Sequence, residues 1–419
     1  MKRIFFPVLA VLVSLAAGYS ILGLWRGIAL SPIRPSEENL LEAIRLSPPN
    51  PEPYYRLGLL YQWDIRHIDL EASARYFGKA IERNPLEQEY WLQLAKILQR
   101  MGEGTVSQQA VENAIRVFPT GYRGRWMAAN LFLQQGDLEK ALPHYSYILT
   151  HYPNQSSPVY DVLEKAVADP DFVLEKIVPR DPSSFRQYLS YLYGMGDREA
   201  ARKAWAKGLS FGFQADRRET VRYIEFLVSQ GEFNEAFQLW RDRCREEGLA
   251  PLSDSDLITN GDFGKDEILG GGFDWKIERV RGTEVSFDPS MAFEGKRSLK
   301  IVFNGKENVD FQHIYQFVPL KADTEYVLSA NMKTRAVTTK SGLKIEVRGV
   351  GQAFHKDSET LTGDNEWKKL IVSFRTPASS QGGMVRVRRE RTDKFDRYIS
   401  GTVWIDHVSL TEKSSEVIK

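Results

Sequence analysis

The sequence predicts a multidomain fold in which an all-α solenoid of helical hairpins precedes an all-β sandwich, with one N-terminal transmembrane helix. Pro85, Pro119 and Pro153 lie 34 residues apart, and each closes a helical pattern of small and aromatic residues, which is typical of stacked hairpins. After residue 256 the apolar period changes from about 3.6 to 2, as expected where helices give way to strands. Residues 4–25 form an apolar run of 22 residues without a charge. The predicted parts are a membrane helix at 1–26, helical repeats at 36–248, a linker at 249–255, the sandwich at 256–412 and a tail at 413–419.

The helical section repeats a pattern of small residues where two helices must approach closely. Gly58, Ala95 and Ala141 hold these positions, and aromatic side chains at helical spacing fill the groove beside them. The pattern is similar to that of the tetratricopeptide repeat (TPR) family. Because one hairpin cannot bury its apolar face alone, neighbouring hairpins must stack, and the stack presents a concave surface. The resemblance implies that this surface binds a protein partner.

The repeat is weakest between residues 155 and 182. Four prolines interrupt the pattern there, Pro158, Pro170, Pro179 and Pro182. Because a helix cannot run through such points without a break, we expect shorter or irregular helices and a change in superhelix direction. Turn signals at Gly196 and Gly231 lie 35 residues apart, so the period survives to the end of the helical section.

The N-terminal apolar run predicts how the chain is held in the cell. At 1.5 Å per residue it is long enough to cross a bilayer core of about 30 Å. Lys2 and Arg3 precede it, and basic residues favour the cytoplasmic side of a membrane. We therefore expect an uncleaved signal anchor in the inner membrane of a bacterium, with the bulk of the chain exported to the periplasm. A cleaved signal peptide is the alternative, because the small residues at 16–18 offer a cleavage site.

Composition argues against several classes of function. With 56 Lys and Arg against 55 Asp and Glu, the net charge is +1, so no overall field favours nucleic acid. The single cysteine, Cys244, excludes an intramolecular disulfide framework. The six histidines show neither metal-ligand spacing nor partners for a catalytic triad. Gly270-Gly271-Gly272 is predicted to form a loop and not a phosphate cradle. We therefore expect a binding protein that is not an enzyme and takes no nucleic acid.

Short alternating segments separated by turn clusters fill the C-terminal part of the chain. Residues 311–318 alternate strictly, which predicts that Phe311, His313, Tyr315 and Phe317 share one face of a strand. Further strand candidates lie at 326–332 and 370–374. Such a pattern over about 160 residues predicts an antiparallel β-sandwich.

Four landmarks indicate the kind of sandwich. They are, in chain order, LITNGDF at 257–263, FEGKRSLKI at 293–301, EWKKL at 366–370 and TVWIDHVSL at 402–410. Taken together they resemble the jelly-roll carbohydrate-binding modules of the galactose-binding-like superfamily. The resemblance covers about residues 256–412 and implies an all-β jelly-roll sandwich that binds a polysaccharide. The fold hosts many functions, so the resemblance is more specific to the fold than to the ligand.

In that family a calcium ion often joins the first and last strands. The matching positions here are Asp262, the backbone carbonyl of Lys296, and Asp406, and hard cations favour such oxygen atoms. The resemblance thus implies a structural calcium site. The alternative is that Asp262 caps a turn and that Asp406 is an exposed carboxylate at a strand end.

The resemblance also implies a cleft in which aromatic rings cover sugar faces and polar groups bond to hydroxyls. The candidate side chains are Trp275, Gln312, Tyr315, Gln316, Trp367 and Tyr398. Arg386 and Arg388, on a strand with Glu390, are candidates for pairing with uronate, phosphate or sulfate groups. The alternative is packing within the fold for the aromatic residues, and a solvated strand with internal ion pairs for the arginines.

These inferences together predict a membrane-anchored, exported adaptor. It binds a protein partner through its repeats and a polysaccharide through its jelly roll, in the assembly or export of an envelope polysaccharide. One alternative is a protein-binding envelope scaffold whose β-domain has lost sugar affinity. A glycan-processing enzyme, a third class, would need a close pair of carboxylates in a deep pocket. Exposed aromatic side chains in the cleft would favour the adaptor over the scaffold.

Overall fold

The computed structural model describes residues 36–66, 68–167, 169–249, 255–351 and 354–413. Helical repeats are followed by two antiparallel sheets, which confirms the predicted two-part architecture. The predicted membrane helix at 1–26 lies outside the described residues, as do most of the linker at 249–255 and nearly all of the tail at 413–419. Within the described ranges, no helix combines the length and the apolar character needed to span a bilayer.

The chain divides into two compact units. The first comprises Met1–Tyr191 with Lys203–Trp205, and the second comprises Leu192–Arg202 with Ala206–Lys419. The second unit therefore contains the last helices of the repeat region together with both sheets. Contacts between those helices and the sheets lie inside one unit.

Thirteen α-helices form the repeat region in the described part of the chain. They are α1 (Glu37–Leu46), α2 (Pro51–Trp63), α3 (Leu70–Arg83), α4 (Gln88–Arg100), α5 (Gly104–Val117), α6 (Tyr122–Gln134), α7 (Leu138–His151), α8 (Ser156–Val167), α9 (Pro170–Lys176), α10 (Pro182–Met195), α11 (Arg198–Ser210), α12 (Arg217–Ser229) and α13 (Phe233–Glu246). Helices α2 and α3, α4 and α5, α6 and α7, and α12 and α13 pack together as hairpins. Asp69, Asp137 and Asp197 begin α3, α7 and α11 by accepting a backbone N–H bond, as N-cap residues do.

Two hydrogen bonds recur with the hairpins. The fourth residue of each of α2, α4 and α6 donates a side-chain bond to the carbonyl of a proline six residues earlier, in the pairs Tyr54 with Pro48, Trp91 with Pro85 and Arg125 with Pro119. The second bond joins the paired helices, because Ser73 Oγ donates to the carbonyl of Gly58 and Ser107 Oγ to that of Ala95, both at 2.8 Å. A Cβ atom on Gly58 would lie 2.5 Å from the Phe77 ring. The predicted close approach of the helices at the small residues is therefore confirmed at Gly58.

The predicted irregular section is present. Helix α9 has only seven residues, and it begins at Pro170, while α10 begins at Pro182. Proline suits the first position of a helix because the N–H group that it lacks has no partner there anyway. The short helix confirms the expected irregularity, and the change in superhelix direction stays a prediction.

Ten strands form two antiparallel sheets of five. They are β1 (Lys276–Ile277), β2 (Thr283–Asp288), β3 (Ser298–Asn304), β4 (Phe311–Val318), β5 (Glu325–Val337), β6 (Lys344–Gly349), β7 (His355–Asp357), β8 (Gly363–Arg375), β9 (Gly383–Arg389) and β10 (Ser400–Glu412). The first sheet has the order β1-β4-β9-β6-β7, and the second sheet has the order β2-β3-β10-β5-β8. Buried side chains of both sheets form one core, among them Ile314, Val347 and Val387 from the first and Leu299, Leu328 and Ile405 from the second.

The strict alternation predicted for 311–318 is wrong at the start of β4. The register between β4 and β9 shifts between Phe311 and Ile314, and both of these side chains are buried. A bulge of this kind places an extra residue in one strand and changes which side chains share a face. As a result Tyr315 and Phe317 lie on the face opposite the one that buries Phe311.

Candidate functional site

A row of polar residues crosses all five strands of the first sheet. Lys276 is paired in register with Tyr315, Tyr315 with Arg386, Arg386 with Glu346, and Glu346 with Asp357. Directly opposed residues of antiparallel strands share one face and lie side by side. The residues next to them along the strands, such as Ile345 and Val347, point into the core. We call these five residues the polar row, and it lies on the sheet face opposite the core.

The centre of the polar row is a buried ion pair. The Arg386 guanidinium donates from Nε and Nη2 to Oε1 of Glu346 at 2.9 and 2.6 Å, and from Nη1 to Oε1 of Gln312 at 2.6 Å. Arg386 is 8% exposed and Glu346 3%. Such a pair adds little net stability, because the cost of removing both charges from water offsets their attraction. Its effect here is to fix the position of the exposed Gln312 amide on the sheet face.

Further ion pairs surround the centre. Arg388 pairs with Asp310 and also donates from Nη1 to the carbonyl of Phe311 at 3.2 Å. Lys344 Nζ lies 2.5 Å from Asp357 and 3.1 Å from Glu390. The arginines predicted to bind an acidic sugar are thus engaged in internal ion pairs, as the alternative interpretation expected, but Arg386 is buried and the strand is not solvated there. Neither guanidinium is free to pair with a ligand in this arrangement.

Tyr315 is the aromatic member of the polar row. Its hydroxyl donates to Oε1 of Glu278 at 2.9 Å, and its ring is half-buried. Partial burial and then the bond to Glu278 raise the pKa of the Tyr315 phenol. The structure therefore brings together three of the predicted side chains, Tyr315, Gln312 and Arg386, on one surface.

Two other predicted ligands belong to the framework of the sandwich. Gln316 is fully buried, and its amide accepts from the Thr259 N–H at 2.8 Å and donates to the Thr259 carbonyl at 2.9 Å. Because neighbouring residues of a strand point to opposite faces, Gln316 points into the core when Tyr315 points out, and it cannot reach a sugar on this face. Trp275 packs half-buried against the core, and its Nε1 donates to the carbonyl of Asn260 at 3.2 Å.

The remaining aromatic candidates lie outside the polar row. Trp367 is on β8, the edge strand of the second sheet, with its ring 5.8 Å from that of Phe293. Tyr398 is 48% exposed and lies on the loop between β9 and β10, where the Arg397 guanidinium lies 5.0 Å from its ring centre.

The arginine-rich segment divides into a buried half and an exposed half. Arg389 is fully buried, and it donates to the carbonyls of Ser341 at 3.1 Å and Arg397 at 2.9 Å. The exposed half follows as a loop, and its outward side chains are Arg391, Asp393, Lys394, Phe395, Arg397 and Tyr398. Asp396 holds this loop by accepting the N–H of Lys340 at 2.7 Å. Cations and an aromatic ring are thus displayed on an anchored loop.

The calcium candidates Asp262 and Asp406 lie near each other, and the segment that contains Lys296 lies close to Asp262. Asp406 is fully buried, not exposed, and its carboxylate accepts the N–H groups of Phe293, Glu294 and His407 at 2.7, 3.1 and 2.7 Å. Burial, together with the nearby charge of Asp262, raises the pKa of Asp406. Asp262 is exposed and accepts the N–H of Gly264. A Cβ atom added to Gly295, the residue before Lys296, would lie 3.8 Å from Oδ2 of Asp262.

These donors suit a hard cation in type. Two carboxylates in electrostatic contact beside a turn with backbone carbonyls are the oxygen ligands that calcium takes. Across the described part of the chain, no group of three or more His, Cys, Asp or Glu side chains is placed to hold a metal ion. A cation here would therefore need backbone carbonyls such as that of Lys296, as the resemblance implied.

The last helical hairpin borders the polar row. Glu225 of α12 lies 2.8 Å from Lys276 Nζ, and the ring of Phe233, at the start of α13, is 6.0 Å from the ring of Phe317. Phe317 follows Tyr315 on the same face of β4, so α13 occupies the end of that face. The open part of the surface lies toward Gln312, β6 and β7.

Sequence reasoning missed the acidic partners of the site and the role of Asp274. Glu346 and Glu278 hold Arg386 and Tyr315, and Asp274 accepts the N–H groups of residues 268–271. This loop contains the predicted Gly270–Gly272 turn, and the Trp240 indole of α13 donates to the carbonyl of Gly271 at 3.1 Å. The sequence gives a weak indication that Glu346 lies on the outer face of a strand, because Lys344, Glu346 and Arg348 alternate with apolar residues.

Comparison with known families identifies part of the helical region. A family model described as tetratricopeptide repeat matches residues 92–156. This segment is therefore similar to tetratricopeptide repeats. The match covers the stretch from within α4 to the start of α8, and it confirms the resemblance for that part of the solenoid. Membership of the sandwich in the galactose-binding-like superfamily stays a prediction.

Curated relatives share only part of their length with this chain. The tRNA(Glu)-specific nuclease WapA of Bacillus subtilis subsp. natto is 28% identical over 164 residues, which are 37% of this chain and 7% of that protein. General transcription factor 3C polypeptide 3 of Homo sapiens is 28% identical over 109 residues, which are 26% of this chain and 12% of that protein. The chain thus spans about 7% of the length of the nuclease relatives.

Solved structures also show similarity to parts of this chain. A family 16 carbohydrate-binding module has 23% sequence identity and a TM-score of 0.27, covering 37% of this chain and 99% of its own. MamA has 15% identity and a TM-score of 0.26, covering 42% of this chain and 85% of its own.

Proposed function

We propose that this chain is an adaptor that binds a protein through its helical repeats and a polysaccharide through the polar row. The observation that carries the saccharide part is the buried Arg386–Glu346 pair, in which Arg386 is bonded to the Gln312 amide and is paired in register with Tyr315. A few fixed polar groups next to an aromatic surface are what small-ligand sites use to orient their ligand. A fully bonded buried network also fixes the geometry before any ligand arrives.

The protein-binding part of the proposal depends on the repeats. Residues 92–156 match the tetratricopeptide family, and stacked hairpins of this type present an extended concave surface. The proposal includes no catalytic step and no nucleic-acid partner.

The exposed loop after β9 supports an acidic polysaccharide in place of a neutral one. Arg391, Lys394 and Arg397 are exposed on the same loop as a fully exposed Phe395. A ring can cover a sugar face while guanidinium and ammonium groups pair with uronate or sulfate. Arg386 and Arg388 do not contribute such contacts, because they are engaged within the sandwich.

A panel of neutral and acidic polysaccharides tests the proposal. The full chain should be used, since the last helices and the sandwich form one compact unit. We expect saturable binding to at least one acidic polysaccharide, with an affinity that falls as salt rises, because exposed charges are screened within about 10 Å at 0.1 M salt. If the folded chain binds no member of the panel, the result contradicts the proposed polysaccharide binding. The protein-binding scaffold then becomes the favoured function.

We propose in addition that a structural calcium ion is held by Asp262, Asp406 and the carbonyl of Lys296. Calcium would supply the positive charge that compensates the two carboxylates. We expect the midpoint of thermal unfolding to fall when a chelator removes calcium, and to be restored by added calcium. The Asp262→Asn variant should lose this dependence, whereas Asp393→Asn, which changes an exposed carboxylate on the loop between β9 and β10, should keep it. An unfolding midpoint that is the same with and without chelator would contradict the ion.

We also propose that residues 4–25 anchor the chain in the inner membrane and that the rest is periplasmic. The support is the uncharged apolar run and the basic residues that precede it. An adaptor placed there would serve the assembly or export of an envelope polysaccharide. Recovery of the protein in the soluble periplasmic fraction would indicate a cleaved signal peptide instead.

The scaffold is the second candidate function, and one observation favours it. Helix α13 covers the Phe317 end of the sheet face, and the sandwich covers apolar residues of α13 such as Trp240. In this interpretation the sandwich is a terminal cap of the repeat, which solenoids require to cover their last apolar face. If the chain binds no saccharide and Trp240→Ala strongly lowers its stability, the scaffold with the sandwich as a terminal cap is favoured.

A further inference from the structure

The turn between α2 and α3 exposes three large apolar side chains. Trp63 is 68% exposed, Ile65 89% and Ile68 52%. We call these three residues the apolar tip. Single exposed apolar residues are ordinary on protein surfaces, but a cluster of large ones marks a site of contact with another molecule or a membrane.

The apolar tip lies beside the start of α1, the first described helix. The Tyr61 hydroxyl, two residues before Trp63, donates to the carboxylate of Glu37, the first residue of α1. The N–H of Asp69, one residue after Ile68, donates to the carbonyl of Tyr61 at 3.0 Å. Both ends of the turn are therefore fixed beside the start of α1.

The sequence places an apolar run close to this point. Residues 4–25 are apolar, and residues 26–36 separate them from α1. Eleven residues span at most about 40 Å, because an extended chain advances about 3.3–3.6 Å per residue. If residues 4–25 cross a bilayer, the apolar tip is tethered within reach of the surface of that bilayer.

We propose that the apolar tip inserts into the interfacial layer of the membrane that holds residues 4–25. The proposal depends on the membrane anchor proposed above. Tryptophan suits the interface because its ring is apolar while its N–H can still bond to water or headgroups. Arg66 lies between the apolar residues and is paired with Asp64 at 3.0 Å, so the tip carries little net charge. Its insertion therefore depends on apolar burial and needs no anionic lipid.

Site-specific labelling of the full chain in phosphatidylcholine nanodiscs tests the proposal. Ile65→Cys provides a labelling position, and Leu86→Cys, at a position 78% exposed in the turn after α3, is the matched control. The native Cys244 does not compete for the label, since it is fully buried and burial raises the pKa of its thiol to about 12. Lipids brominated on their acyl chains then quench only labels that reach the apolar boundary.

We expect roughly twofold quenching of the label at residue 65 and little at residue 86, because interfacial segments lie about 5–10 Å into the headgroup boundary. The result should be the same when anionic lipid is added. A label at residue 65 that stays unquenched in a chain bound to the discs would contradict the insertion of the apolar tip but not the membrane anchor. An unquenched label with blue-shifted emission would do the same and identify a protein contact. A chain that does not associate with the discs would contradict both proposals, the membrane anchor and the insertion of the apolar tip.

Discussion

Replacing Trp240 by alanine should lower the free energy of unfolding of the second unit by about 3–5 kcal/mol, the range for a buried large aromatic residue. Trp240 is fully buried on α13, its Nε1 donates to the carbonyl of Gly271 at 3.1 Å, and its ring centre is 6.3 Å from that of Phe273. Alanine would leave a cavity between α13 and the loop before β1 and would remove the partner of a buried carbonyl. Urea unfolding followed by circular dichroism measures the change.

Two variants separate the causes of the Trp240 effect. Trp63→Ala makes the same change at an exposed position, so the free energy of unfolding should change by no more than about 0.5 kcal/mol. Trp240→Phe keeps most of the ring but loses the indole N–H, and the hydrogen bond contributes about 1 kcal/mol. If Trp240→Ala lowered the free energy of unfolding no more than Trp63→Ala does, the result would contradict the described packing of α13 against the sandwich.

Replacing Arg389 by leucine should destabilise the sandwich by about 3 kcal/mol or more, since hydrogen bonds from a charged donor contribute about 1.5–3 kcal/mol each. The fully buried guanidinium donates to the carbonyls of Ser341, Val309 and Arg397 and to Asn308 Oδ1. Burial lowers the pKa of Arg389, but the charged form is the one that makes these bonds. Leucine fills part of the space and leaves the acceptors without a donor.

The matched control is Arg391→Leu, in which the arginine is exposed, and its effect on the free energy of unfolding should be within about 0.5 kcal/mol. Arg389→Lys should fall between the two, because an ammonium keeps the charge but lacks the planar fork that reaches several acceptors. Thermal unfolding of the three variants in parallel gives the order. Equal midpoints for Arg389→Leu and Arg391→Leu would show that Arg389 does not hold the loops together.

The sequence predicted those features of the fold that depend on local pattern. Proline spacing located the ends of α3, α5 and α7, and the cluster of prolines located the short α9. These predictions succeeded because helix ends are set by residues within one turn of them. The change of apolar period located the sandwich for the same reason, since alternation along a strand is a local property.

Features that depend on strand order could not be predicted in this way. Arg386 is bonded to Glu346 across neighbouring strands that are 40 residues apart in the chain, and nothing local signals that pairing. The bulge in β4 places Phe311 and Tyr315 on opposite faces of the strand. A prediction that assumes strict alternation cannot include such a bulge. The buried role of Gln316 follows from its bonds to Thr259, 57 residues earlier. The contact between α13 and the loop at Gly271 is equally non-local.

The most direct test of the proposed function is a comparison of binding affinity between the full-length protein and its Tyr315→Ala variant, by calorimetry with the polysaccharide that binds best. Tyr191→Ala makes the same change on a half-buried tyrosine of α10, whose hydroxyl also donates to a glutamate, Glu164, at 2.6 Å, and it serves as the control. If the polar row binds the saccharide, Tyr315→Ala should weaken binding by about tenfold, or about 1.4 kcal/mol, and Tyr191→Ala should leave it unchanged. Equal affinity for Tyr315→Ala and the unmodified protein, or an equal loss in Tyr191→Ala, would contradict the assignment of saccharide binding to the polar row.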